Sequence, residues 1–144
     1  MGTVKRILAR KADVALTTTE GAMVFDAIRV MAERGVGALV VTEGDLVVGI
    51  ITERDYLRKV ALEGRSSKET AVGAIMSSPV VTVGQGDTID HCMELMTRHR
   101  FRHLPVVEDD QLVGVISIGD CVKQLLKEHK DEISHLAEYI GGRA

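Results

Sequence analysis

Two short stretches place an aspartate three residues after a hydroxyl residue. Gly49–Asp55 reads GIITERD and Gly114–Asp120 reads GVISIGD, 65 residues further on. Either pair, Thr52/Asp55 or Ser117/Asp120, suits the start of a helix. The hydroxyl accepts from an early backbone N–H, and the acid reaches back to the N-cap amide. The same geometry suits a ligand. A helix start offers free N–H groups to a phosphate. An ionised aspartate turned outward accepts both hydroxyls of a ribose through charge-assisted bonds. The two uses are compatible for the hydroxyl and compete for the aspartate. Arg54 precedes Asp55 and is placed to meet a phosphate or diphosphate, whereas Gly119 holds that place in the second stretch.

The recurrence extends far beyond seven residues. The same shift aligns LVVTEGDLVVGIITERD (39–55) with LPVVEDDQLVGVISIGD (104–120) without a gap, and it sets Thr17 on Thr82, Gly21 on Gly86 and Met31 on Met96. Val24, Ala27, Ile28 and Met31 are spaced as one face of an amphipathic helix, and Ile89, Cys92, Met93 and Met96 repeat that face. Each copy predicts a first strand (14–17 and 80–83) and then this helix (22–34 and 87–99). A hairpin follows, rich in β-branched residues and turning at TEGD or EDD, and then a second helix, in ERDYLRKVALEG or GDCVKQLLKEH. The order is β-α-β-β-α, twice, which is an α+β chain. VKRIL (4–8) and VGAIM (72–76) predict a short lead-in turn before each copy. The expected boundaries are repeat one at 1–65, linker and lead-in at 66–76, repeat two at 77–129 and a helical tail at 130–144. In that tail Ile133, Leu136, Ala137 and Ile140 keep helical spacing up to Gly141-Gly142. A unit of about 60 residues buries little surface and is marginal alone, so the two are expected to pack sheet to sheet.

Composition removes several function classes. The core must come from aliphatic residues, because the chain has two Phe, two Tyr and no Trp, which also removes the stacking platforms of single-stranded nucleic-acid binders. A net charge of −3 argues against DNA binding by bulk charge. No apolar run is long enough to span a membrane and no signal-peptide core opens the chain, so a cytoplasmic location is expected. Cys92 and Cys121 fit buried free thiols.

With these residues in view, the chain resembles the cystathionine-β-synthase (CBS) domain pair, or Bateman module. The resemblance rests on VGALVV, GIITERD, AIMSSPVVTV, RHLPVV and GVISIGD in this order and duplication, and it covers Val4 to Lys127. ITERDYLRKV followed by GRSSKET is similar to the stand-alone members. The resemblance implies clefts between the repeats that hold an adenosine nucleotide as a regulatory ligand: AMP foremost, or ADP, ATP, NAD or S-adenosylmethionine. It implies that Thr52, Asp55, Ser117 and Asp120 line those clefts, with Arg54 at a phosphate. It places His103 in the pocket of its own repeat and Arg102 in that of the other, with Ala38 and Gly37 as their counterparts. Backbone at Leu16, Val81, Val36 and Phe101 would hold the adenine. A disc-like homodimer and an effector protein acting in trans are further implications.

Plainer readings stand beside these. In RHRFRH (98–103) the first cations suit a helix C-terminus, with Phe101 buried, while Arg102 and His103 enter a strand and face opposite ways. Leu16, Val81, Val36 and Phe101 are equally suited to core packing. His99 and His103 do not make a metal site, and no Cys/His spacing does. No nucleophile elbow, Walker loop or HExxH occurs, so no catalytic residue is expected. The alternatives to a nucleotide sensor are a ligand-free assembly module and, further off, a nucleotide-hydrolysing enzyme using its paired aspartates and magnesium.

Overall fold

Val24, Ala27 and Met31 recur at helical spacing, and in the computed structural model they form the buried face of α2 (Val24–Arg34). The structure describes residues 2–11, 15–78 and 80–141, with side chains described to residue 134. The chain divides into two units, residues 13–82 with 105–115, and residues 1–12 with 83–104 and 116–144.

In the first of these units, β1 (Thr17–Thr18), β2 (Ala38–Glu43) and β3 (Leu46–Thr52) form one sheet in that order. β1 and β2 are parallel and joined through α2, while β2 and β3 are an antiparallel hairpin. Gly44 supplies the positive φ of its tight turn. Ala38 to Val41 are all buried, since β2 is the central strand. Leu39, Val41 and Ile51 meet Val24, Ala27 and Met31 in a core completed by Val60, Val72 and Ile75. The second helix of this repeat begins as α3 (Glu53–Tyr56) and widens into a π turn over Leu57–Ala61, which carries Val60 inward. α4 (Val72–Ile75) then packs beside α2, with Met23 bridging Ala71.

The second unit repeats that contact with different chain segments. α1 (Val4–Arg10) precedes repeat one in sequence, yet Thr3 bridges Thr88 at the start of α5 (Ile89–His99). Each lead-in helix therefore rests against the main helix of the other repeat, a pairing invisible to local sequence patterns. β4 (His103–Glu108) and β5 (Gln111–Ser117), of which residues 105–115 are counted with the first unit, form a two-stranded sheet. Asp109 and Asp110 both take positive φ in its turn, as a type I′ hairpin requires.

Three expectations need correction. The strand expected over 80–83 does not form: residues 80–82 take no regular structure and Val83 makes an isolated bridge. β propensity reports fit to a pleated neighbour rather than an intrinsic preference, so VVTV alone is insufficient. The first strand lies at Thr17–Thr18 rather than 14–17, and Val14 is outside the described residues. The second helix of repeat two and the tail are one helix, α6 (Ile118–Gly141), because no glycine or proline interrupts residues 121–140. The side chains of Leu136, Ala137 and Ile140, and Gly142 altogether, lie outside the described residues.

Candidate functional site

The end of each hairpin is locked to the helix that follows by the same bond. Glu53 N–H donates to Gly37 carbonyl at 3.1 Å, and Ile118 N–H donates to Arg102 carbonyl at 2.9 Å. Gly37 and Arg102 thus act through backbone in an identical frame. Gly49 lets β3 run close to the neighbouring segment: a Cβ there would stand 2.5 Å from Met76 Sδ and 3.2 Å from Ser77 carbonyl. Ile50 and Ser77 accordingly exchange two backbone hydrogen bonds.

Both predicted caps form. Thr52 Oγ1 accepts from Asp55 N–H at 3.1 Å, and Asp55 Oδ2 accepts from Thr52 N–H at 3.0 Å. Ser117 Oγ accepts from Asp120 N–H at 3.1 Å, and Asp120 Oδ2 accepts from Ser117 N–H at 2.8 Å.

The two carboxylates differ in what else holds them. Asp55 is buried, and its Oδ1 accepts from Ser77 Oγ at 3.3 Å and pairs with Lys59 Nζ at 3.1 Å. Thr52 Oγ1 also donates to its Oδ2. Asp120 is more open, with its side chain 19% exposed, and pairs through Oδ2 with Lys11 Nζ at 2.8 Å. Burial pushes its carboxyl up, but the Lys11 ammonium and the amide and hydroxyl of Ser117 outweigh burial and hold it below the ordinary carboxylate value. Ser77, Lys59 and Lys11 were not among the expected site residues. Lys59 was visible as the i+4 partner of Asp55. No local signal marks Ser77 or Lys11, which arrive through the fold.

Arg54 is exposed in the first turn of α3. Ala38 opens β2 opposite Thr52, and His103 opens β4, half-buried. Arg102 is exposed. Leu16 carbonyl accepts from Val40 N–H at 3.2 Å, which ties it to β2. Val36 and Phe101 occupy equivalent places after α2 and α5: their N–H groups donate to Met31 and Met96 carbonyls, each at 3.0 Å. Phe101 is only half-buried and stacks on His99, with ring centroids 5.3 Å apart. Val81 lies in the irregular segment before Val83.

Among the described residues no three His, Cys, Asp or Glu side chains are grouped to hold a metal ion. Cys92 and Cys121 are fully buried, and burial pushes their thiols up to about 12 and about 11, so neither is a poised nucleophile. Among the described residues no helix is long and apolar enough to cross a membrane.

Comparison with known proteins agrees with the doubled frame. The CBS domain profile matches residues 4–62 and again 72–127. The mitochondrial CBS domain-containing protein CBSX3 of Arabidopsis thaliana is 46% identical over 124 residues, or 83% of this chain. The chain spans 60% of that relative's length and 22% of the next plant relative's. A solved CBS-domain protein from Burkholderia ambifaria superposes with a TM-score of 0.84 at 51% identity, covering 87% of this chain and 94% of that one. A hexameric CBS-CP12 protein from bloom-forming cyanobacteria superposes with a TM-score of 0.74 at 31% identity, covering 83% and 70%. Two matched repeats, in an α+β fold shared with solved CBS proteins, establish that the chain belongs to the CBS domain family as a tandem pair.

Proposed function

We propose that the chain is a regulatory module that binds an adenosine nucleotide at the helix starts Thr52–Asp55 and Ser117–Asp120 and signals occupancy to a protein partner in trans. CBS-domain pairs are commonly regulatory modules for adenosine ligands rather than catalysts. The observation that carries the reading is the frame built twice: a hairpin end pinned to the next helix start, with a hydroxyl and a carboxylate on it.

The two places are unequal. The Lys11 ammonium and the Ser117 N–H both end on Oδ2 of Asp120, which makes Oδ1 the oxygen offered to a ribose hydroxyl. Both oxygens of Asp55 are engaged, so a ribose there must displace Ser77 or Lys59. The second place is therefore the principal site. The N–H groups of Val36 and Phe101 are spent on their helix ends, which leaves carbonyls to receive the adenine amine. Arg54 serves a phosphate at the first place, and His103 lines the second. AMP is the simplest ligand with these parts, and ATP or NAD extend it.

Thermal melting with AMP, ATP, NAD and S-adenosylmethionine is the test. A ligand that binds only the folded chain raises the midpoint. No shift with any of them at millimolar concentration would leave the assembly module as the better reading, which the fully engaged Asp55 already favours for repeat one.

Self-association belongs to this proposal. Ile118, Val122, Leu126 and Ile133 form an exposed apolar stripe along α6, and a related CBS protein is hexameric. A homodimer is the smallest assembly that covers it. The cytoplasmic location expected from the sequence stays part of the proposal, set against a plant relative that is mitochondrial.

A further inference from the structure

We propose that the place at Thr52–Asp55 is gated: Lys59 and Ser77 form a latch that a nucleotide must break, so the two places answer to different nucleotide concentrations. This rests on the ligand reading above and adds a regulation that repeat two lacks. An ionised carboxylate offers about four lone-pair positions. Those of Asp55 are all taken. Oδ2 accepts from Thr52 N–H at 3.0 Å and from Thr52 Oγ1 at 3.1 Å, which belong to the cap. Oδ1 accepts from Ser77 Oγ at 3.3 Å and meets Lys59 Nζ at 3.1 Å. Oδ1 is the oxygen left for a ribose once the cap has formed, and the latch stands on it.

The latch is anchored on both sides. Lys59 also donates to the carbonyl of Ile75, the last residue of α4, at 2.9 Å. Ser77 is fixed by the two backbone bonds it exchanges with Ile50, at 3.1 and 2.9 Å. Lys59 is the part that can leave. Its side chain is 43% exposed against 9% for Asp55, and a freed ammonium is strongly hydrated.

Repeat two keeps the cap and replaces both parts of the latch. The 65-residue shift sets Gln124 on Lys59. Gln124 turns to Arg10 at 3.1 Å and to Glu128 at 3.2 Å. VKRIL in step with VGAIM sets Ala9 on Ser77, a side chain with no hydroxyl to give. The apparent affinity of a gated place falls by the fraction of time that it is open. The second place therefore fills first. The first fills only at higher nucleotide concentration, and its filling unties Asp55 from the segment after α4.

Calorimetry of the full chain with AMP tests this on the wild type, on Ser77→Ala and on Ser77→Ala with Lys59→Met. At AMP concentrations that saturate the second place, the wild type should hold one AMP per chain and the double variant two. The first place should tighten about tenfold in the double variant, the scale of one charge-assisted bond that no longer has to be broken. If the double variant does not fold, Ser77→Ala alone should tighten the first place about fivefold, the scale of one neutral bond. A wild type that holds two AMP with equal affinity, or variants whose first place is no tighter, would overturn the latch and leave the ligand reading standing. Binding of AMP by neither the wild type nor any variant would overturn the ligand reading, and the latch with it.

Discussion

Lys59 Nζ lies 3.1 Å from Oδ1 of Asp55, and both are on the same short helical segment, four residues apart. With Ser77 on the same oxygen and Thr52 on the other, Asp55 joins β3, α3 and the segment after α4. Its first duty is structural. Asp55→Ala should therefore destabilise the chain by about 2 kcal/mol, from a lost cap plus the lost bonds to half-buried Ser77 and Lys59. Asp120→Ala removes a cap at a more open place and should cost about 1 kcal/mol. Urea unfolding of both variants measures the difference. Equal losses would mean that Ser77 and Lys59 add nothing to the hold on Asp55.

Asp120 should give stability an acid limb. Its carboxyl titrates below the ordinary value in the folded chain, because Lys11 and Ser117 together outweigh burial. A depressed folded value means the unfolded chain binds the proton first as pH falls. The stabilisation is therefore complete above the ordinary carboxylate value, about pH 4, and is lost as pH drops from there through the folded value. The stability difference between wild type and Asp120→Asn should hold from pH 7 to about pH 5 and shrink below about pH 4. Denaturant titrations across that range read it directly, and a difference that persists unchanged to pH 3 contradicts the Lys11–Asp120 pairing.

Arg100 ends α5 with φ 58° and ψ 36°, where Gly35 ends α2 with φ 65° and ψ 34°. The two are equivalent across the repeat, but only glycine takes this left-handed conformation without a Cβ clash. Arg100→Gly should stabilise by about 0.5 kcal/mol once glycine's greater freedom in the unfolded chain is subtracted. The reverse change, Gly35→Arg, should cost about 1 kcal/mol. Equilibrium unfolding of the pair is the check, and a loss on Arg100→Gly would show that the Arg100 side chain contributes more than its backbone strain removes.

These cases mark what was legible in the sequence. The repeat, both helices at the apolar spacing, both hairpins and both caps could be read, because each depends on residues within a few positions of one another. Val24/Ala27/Met31 and Thr52/Asp55 carry their own partners. The contacts of Asp55 and Asp120 beyond the caps were not readable, since Ser77 and Lys11 lie 22 and 109 residues away. The lead-in helices look alike in sequence, VKRIL and VGAIM, but nothing in either says which repeat it packs on. VVTV at 80–83 failed as a strand for the same reason, since a strand is decided by its neighbour. The contrast of Arg54 with Gly119 was visible at once. That repeat two obtains a cation from α1 was not.

The stripe on α6 offers the last test. Ile118, Val122, Leu126 and Ile133 are 40%, 41%, 64% and 54% exposed, at intervals of four, four and seven residues, which places them along one side of a single helix. Leu57, the counterpart of Val122 in repeat one, is 57% exposed as well. An apolar line of this kind on a helix is costly in water and is ordinarily covered by a partner. In the proposed homodimer this line is the buried surface. Leu126→Lys with Ile133→Lys should then convert the sedimenting species to a monomer while leaving the far-ultraviolet helix signal intact, since neither side chain belongs to the buried core. Analytical ultracentrifugation at several concentrations distinguishes the outcomes. A wild-type chain that sediments as a monomer at every concentration would remove α6 as an interface between copies.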